Sequence, residues 1–190
     1  MVKKLDPQIV NSIITRFMEE LIITKGDLSA SKPCEISSQP ISEYEGRMRV
    51  HATEKFDVAV YIAAVSFYLN QADMQEAHRA RGALVLYIDT EVADKIFKAA
   101  GLQVPYDEDD ESMMATGGTL CQMIADALKD GLAAAGFASM LVSPPCVYKN
   151  NIPEGVAFSK EQKEKQELSF YFLRHKAVAI DWTLASIPKK

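Results

Sequence analysis

Apolar positions along this 190-residue chain switch between a helical and a strand period, and each switch marks an element. Ile9, Ile13, Phe17 and Leu21 recur every four residues, with Val10, Ile14 and Met18 in the neighbouring row. That stripe predicts an amphipathic helix, opened by the Asp6-Pro7 cap and stopped at Gly26. Residues 27–45 are rich in Ser and Pro and read as a loop, with at most one short strand near Cys34–Ser37. From Gly46 the period is two: Met48, Val50 and Ala52 alternate with Arg47, Arg49, His51 and Thr53, as in a strand with one wet face. Asp57 to Leu69 is apolar on both faces, which predicts a central strand. A polar stretch, residues 70–80, leads to a third strand over Gly82–Ile88. Asp89-Thr90 then reads as the cap of a short helix carrying Val92, Ile96 and Phe97 and ending near Gly101.

A second long helix is marked by Met113, Met114, Leu120, Cys121, Ile124, Leu128 and Leu132, and Gly136 closes it. The acidic run Asp107–Glu111 before it complements a helix N-terminus. Further strands are predicted near 139–149, 168–175 and 178–184, the last two joined as a hairpin at Lys176-Ala177. Residues 150–167 read as a polar loop or short charged helix. Helix, strands and short helix are thus followed by helix and strands again. This order predicts a pseudo-duplicated α/β (α+β) chain forming a single domain over 1–190. Its sheet is long-stranded and mainly antiparallel, with two long helices packed on one face. A strand as apolar as 57–69 needs cover on its other face too, which the 150–167 segment or a partner subunit in a homodimer would supply.

Composition narrows the function classes. Hydrophobic residues make up 48% and charged residues 25%, as in a packed soluble chain. A net charge of -5 argues against nucleic-acid binding by phosphate neutralisation. Cys34, Cys121 and Cys146 are an odd number with no CxxC pair, which argues against a disulfide framework or zinc site and for a reducing cytoplasm. No signal peptide or membrane span is expected, because the stretch Ile9–Ile23 carries Arg16, Glu19 and Glu20. Neither GxGxxG nor GxxxxGK[ST] is present, and His51, His78 and His175 lack ligand spacing, so no cofactor and no metal are expected.

What stands out is Gly117-Gly118-Thr119-Leu120-Cys121-Gln122-Met123-Ile124-Ala125. Two glycines inside a helix cost about 1 kcal/mol each relative to alanine, which implies a close approach by the sheet, a second helix or a partner protein. Thr119 and Gln122, three apart, share one helix face and present a hydroxyl and a carboxamide.

The block Gly118 to Ala125, with Gly136 and Ser143-Pro144-Pro145-Cys146-Val147 after it, resembles the CheC/CheX phosphatase family of bacterial chemotaxis. Gly82–Ala93 is similar to that family's strand leading into a short helix, and Leu5-Asp6-Pro7 to Phe17 resembles its first helix. The resemblance implies a receiver-domain partner, the response regulator whose aspartyl phosphate such proteins remove. The family's Glu contacts a partner lysine and its Asn orients the attacking water; these positions correspond to Thr119 and Gln122. The binding face would comprise Gly117, Gly118, Thr119 and Gln122, with the carboxylate missing and the carboxamide retained. Three functions remain open: a receiver-binding signalling protein with a degraded motif, a weak aspartyl-phosphate phosphatase using Gln122, and a small-molecule binder on the same fold. Gln8 and Asn11 form a second amide pair at the same spacing, expected to be surface decoration.

Overall fold

Residues 5–107 and 109–190 are described by the computed structural model. Asp6 accepts the Gln8 N–H at 2.9 Å and Pro7 takes the first helical position, so α1 (Pro7–Met18) starts where the cap predicts. Wider, π-helical turns continue it over Glu19–Lys25 to Gly26. Its buried row is Val10, Ile14, Met18 and Ile22, with Ile9, Ile13, Phe17 and Leu21 half-buried at the margin. A strict spacing of four drifts around a helix of about 3.6 residues per turn; the wider final turns return Ile22 to the core.

The chain then forms β1 (Ala30–Pro40), β2 (Glu43–Tyr44), β3 (Arg47–His51), β4 (Val60–Tyr68), α2 (Gln71–Met74), β5 (Gly82–Asp89) and α3 (Ala93–Ala99). After the long α4 (Asp110–Ala134) come β6 (Leu141–Val142), β7 (Cys146–Lys149), β8 (Asn151–Val156), β9 (Glu164–Phe172) and β10 (His175–Leu184). The main sheet has the order β1-β9-β10-β5-β4, with β6 and β7 both on the far side of β4, and every ladder is antiparallel. Exchanging β1 with β7, β9 with β4 and β10 with β5 maps this order onto itself. The same exchange swaps β3 with β8, which pair with each other in the second, three-stranded sheet. The pseudo-duplication is therefore visible in the topology.

Alternation along each strand builds two cores. Ala63, Val65 and Phe67 of β4, Leu84, Leu86 and Ile88 of β5, and Val178, Ile180 and Trp182 of β10 face α1, α3 and α4. On the other face Val60, Ile62, Val85, Tyr87 and Ala179 meet Met48, Val50, Phe56, Ile152, Val156 and Phe158. Each fully buried aliphatic or aromatic side chain contributes about 1.5–3 kcal/mol. The second face is thus covered by the chain's own small sheet, so the apolarity of β4 does not call for a partner subunit there.

Several expectations are corrected. Residues 27–45 are not mainly loop: β1 runs for 11 residues as an exposed edge strand, where Pro33 and Pro40 cost no ladder on the open side. The 150–167 segment holds β8, turned back from β7 at Asn150, whose φ is +68°. The single strand expected over 139–149 is broken at Ser143-Pro144-Pro145 into β6 and β7. β4 is flanked on both sides, but β10 and β5 hold the centre. The last hairpin turns at Leu173-Arg174, not Lys176-Ala177; φ values of +54° and +69° make a two-residue turn without glycine or asparagine. Asp89 does not cap α3 either. Its carboxylate accepts the Glu91 N–H at 2.8 Å within the preceding turn, and α3 begins after Val92. Among the described residues no helix is long and apolar enough to cross a membrane.

Candidate functional site

Helix α4 is fixed at its start by polar contacts. Asp109 caps it by accepting the Ser112 N–H at 2.9 Å, and Asp110 accepts from Tyr61 Oη at 2.8 Å and Lys149 Nζ at 2.7 Å. Hydrogen bonds from Lys149 and Tyr61 hold the Asp110 carboxyl below its usual range. The acidic run therefore acts as cap and first turn; its member Glu108 lies outside the described residues. Further along, Leu120, Cys121, Ile124, Ala125, Leu128 and Leu132 are buried against the sheet. Burial pushes the Cys121 thiol far up, which leaves it an inert packing group.

Only one of the two glycines is closely approached. A Cβ on Gly118 would lie 2.9 Å from Val147 Cγ1 and 3.5 Å from Pro145 Cγ, whereas one on Gly117 would meet Phe97 Cζ at an ordinary 3.7 Å. The approach comes from the edge strand β7 and the segment before it, inside the chain. Both glycines are buried, so they shape the seat of the helix and are not surface themselves.

Thr119 and Gln122 share the outward side of α4. Thr119 is exposed, its hydroxyl turned back to Ala115 O at 3.4 Å. Gln122 is half-buried and donates Nε2–H to Asp126 Oδ1 at 3.3 Å. That bond fixes the amide so that its oxygen, an acceptor, is the free end. Asp126 also pairs with Lys129 Nζ at 3.3 Å and keeps 45% of its side chain exposed. Asp126 has no motif of its own, and its spacing of four from Gln122 is the one sequence signal that places it on the same face.

The amide pair on α1 is divided. Gln8 is exposed, but Asn11 is only 7% exposed and accepts the Trp182 indole N–H at 2.8 Å. Asn11 is a core residue, not surface decoration; spacing alone could not show this, because its partner lies 171 residues away.

A second polar centre lies beneath the small sheet. Lys55 Nζ donates to Glu167 Oε2 and, at 2.9 Å, to Asp181 Oδ1. Lys176 and Ser169 reach Glu167 Oε1 at 2.7 and 3.0 Å, Gln39 reaches Oε2 at 3.1 Å, and Lys165 and Tyr87 reach Asp181 Oδ2 at 2.7 and 3.3 Å. Burial by itself would raise the Glu167 carboxyl, but the hydrogen bonds from Lys176 and Lys55 outweigh it and hold the group at about 2. The sequence signal was Asp181 inside the otherwise apolar run of β10; Glu167 follows Glu164, Lys165 and Gln166 in the polar half of β9 and gave none. Among the described residues no group of three His, Cys, Asp or Glu side chains is placed to hold a metal.

No protein-family model and no curated protein matches the sequence. Solved structures do match in fold. The chemotaxis protein CheX from Desulfovibrio desulfuricans superposes with a TM-score of 0.56 at 11% identity, covering 92% of this chain and 98% of that one. A chemotactic CheC-like protein from Shewanella oneidensis gives 0.56 at 10%, over 93% and 98%. A chain of the CheX–CheY–BeF3–Mg2+ complex from Borrelia burgdorferi gives 0.50 at 13%, over 96% and 97%. At these identities the likeness is one of fold.

Proposed function

From the CheC/CheX-like fold of this chain, as a divergent version of it, we propose a cytoplasmic chemotaxis-type signalling protein that docks on the receiver domain of a response regulator through the outward face of α4. The observation that carries this reading is the pairing of exposed Thr119 with half-buried Gln122 on a helix whose opposite side is locked to the sheet. A face built this way is open to a protein surface, and the rigid seat at Gly118 keeps its geometry fixed. The CheX–CheY complex from B. burgdorferi, one chain of which shares this fold, supports the choice of a receiver-type partner. On this reading the whole chain acts as one CheC-like domain, and Gly117 and Gly118 serve by allowing the helix to sit close.

Catalysis is the second reading, and the orientation of Gln122 favours it. With Nε2 engaged by Asp126, the amide oxygen remains to accept an O–H from a water held in line with an aspartyl phosphate. Thr119 cannot supply the charge that would pair with a partner lysine. Asp126 is the carboxylate nearest to that role, one turn beyond Gln122.

The test is capture of receiver domains from the same cell, each presented unphosphorylated and with a beryllofluoride-loaded aspartate. Retention of one receiver only in the loaded form, lost when Thr119 is replaced by Arg, is the expected result. Equal retention of both forms, or binding indifferent to Thr119→Arg, would remove the α4 face as the docking surface.

A further inference from the structure

On the face of the main sheet opposite α4, a depression of about 390 Å³ opens between the two sheets, lined by Gln39, Ser42, Arg49, His51, Glu54 and Lys165. We propose that it binds a small oxyanion, a phosphate monoester or carboxylate.

Charge and donor arithmetic carry the proposal. Lys165 is the inner wall, with 11% of its side chain exposed, and among the described residues it spends one of its three N–H donors, on Asp181. Behind it three lysines, Lys55, Lys165 and Lys176, face two carboxylates, Glu167 and Asp181, so the buried centre carries one positive charge in excess. All four carboxylate oxygens already accept hydrogen bonds. Glu54, whose carboxylate lines the depression and acts on Tyr87 beside this centre, is a third carboxylate there, and among the described residues it pairs with none of the three lysines.

With Arg49 and Glu54 at the mouth counted, four cations, Lys55, Lys165, Lys176 and Arg49, meet three carboxylates, Glu167, Asp181 and Glu54, and one positive charge remains in excess. The Arg49 guanidinium lies 5.9 Å over the Tyr44 ring, and among the described residues neither it nor the His51 ring has a carboxylate partner. Stacking on one face leaves the edge of the guanidinium fork free for two parallel bonds to an oxyanion. Gln39 reaches Glu167 from the same wall, and Ser42 adds a hydroxyl. Glu54, the single carboxylate of the lining, can accept a hydrogen bond from a hydroxyl that the ligand carries beside its oxyanion. The volume lies within the usual range for small-molecule sites, about 300–1,000 Å³. Since α4 lies on the other side of the sheet, the site is independent of receiver docking.

The experiment is an amide NMR titration of the full chain with inorganic phosphate and, separately, with citrate, at ionic strength held constant by chloride. The expected result is saturable shifts centred on Ser42, Arg49, His51 and Lys165 with one of the two anions, half-complete in the millimolar range, and the preferred anion names the class. Arg49→Gln, a change on an exposed side chain, should weaken binding at least about tenfold, the loss of one charge-assisted bond. His51→Asn gives a second variant that leaves the lysine centre intact and should weaken binding in the same direction. Linear, unsaturable shifts, shifts centred elsewhere, or affinities unchanged in both variants would overturn the proposal.

Discussion

The indole of Trp182, on β10, donates to the side-chain oxygen of Asn11, on α1, across 2.8 Å of buried space. This bond ties the first helix to a central strand and gives the only tryptophan of the chain a fixed environment. Asn11→Ala leaves the indole N–H buried without its acceptor and should destabilise the fold by about 1–3 kcal/mol. Urea unfolding followed by Trp182 fluorescence checks it; an unchanged midpoint would mean that the indole finds another partner.

Opposite outcomes are expected at adjacent glycines. Gly117→Ala gains helix propensity and meets Phe97 at ordinary contact, so it should stabilise by up to about 1 kcal/mol. Gly118→Ala forces its Cβ within 2.9 Å of Val147, and overpacking of about 1–3 kcal/mol should cancel or exceed the same gain. Combining Gly118→Ala with Val147→Ala should recover part of the loss. Additive effects in that double-mutant cycle would place the strain elsewhere.

On the proposed docking face the wild type should stimulate receiver dephosphorylation weakly or not at all. Restoring a carboxylate with Thr119→Glu should raise binding or rate by roughly ten- to a hundred-fold, the worth of one charge-assisted hydrogen bond. Thr119 is exposed, so the change leaves the packing intact. Any activity present should fall with Gln122→Ala while the thermal midpoint stays put. Phosphate release from a loaded receiver measures both, and activity insensitive to Gln122→Ala would move the chemistry off this face.

Acid should find the buried centre. The Glu167 carboxyl is held at about 2 against a usual 4.5, so its contribution is complete above about pH 4.5 and is lost as pH falls through about 2. The difference corresponds to about 3 kcal/mol at 1.36 kcal/mol per pH unit. Glu167→Gln should lower the urea midpoint at pH 7 and flatten its dependence between about pH 4.5 and 2. A variant with the wild-type acid profile would assign acid unfolding to other carboxylates.

Local chemistry was sufficient for much of this architecture. The cap at Asp6, the acidic start of α4, the stops at Gly26 and Gly136, the alternation in β3 and the apolar runs of β5 and β10 are set by residues within one turn or one strand of each other, so the sequence displays them directly. The Thr119–Gln122 face was legible for the same reason, because three residues along a helix fix a shared direction. Tertiary structure decided what depends on distant partners. β1 looks like a loop by composition and becomes a strand because β9, more than 120 residues later, supplies its hydrogen bonds. Asn11 and Gln8 are alike in sequence, yet one faces Trp182 and the other water. Gly117 and Gly118 differ only through Phe97 and Val147. Lys55, Lys165, Lys176, Glu167 and Asp181 are scattered charges along the chain; they become one buried centre because antiparallel pairing of β9 and β10 sets Glu167 opposite Asp181, and burial then obliges every charge to find a partner.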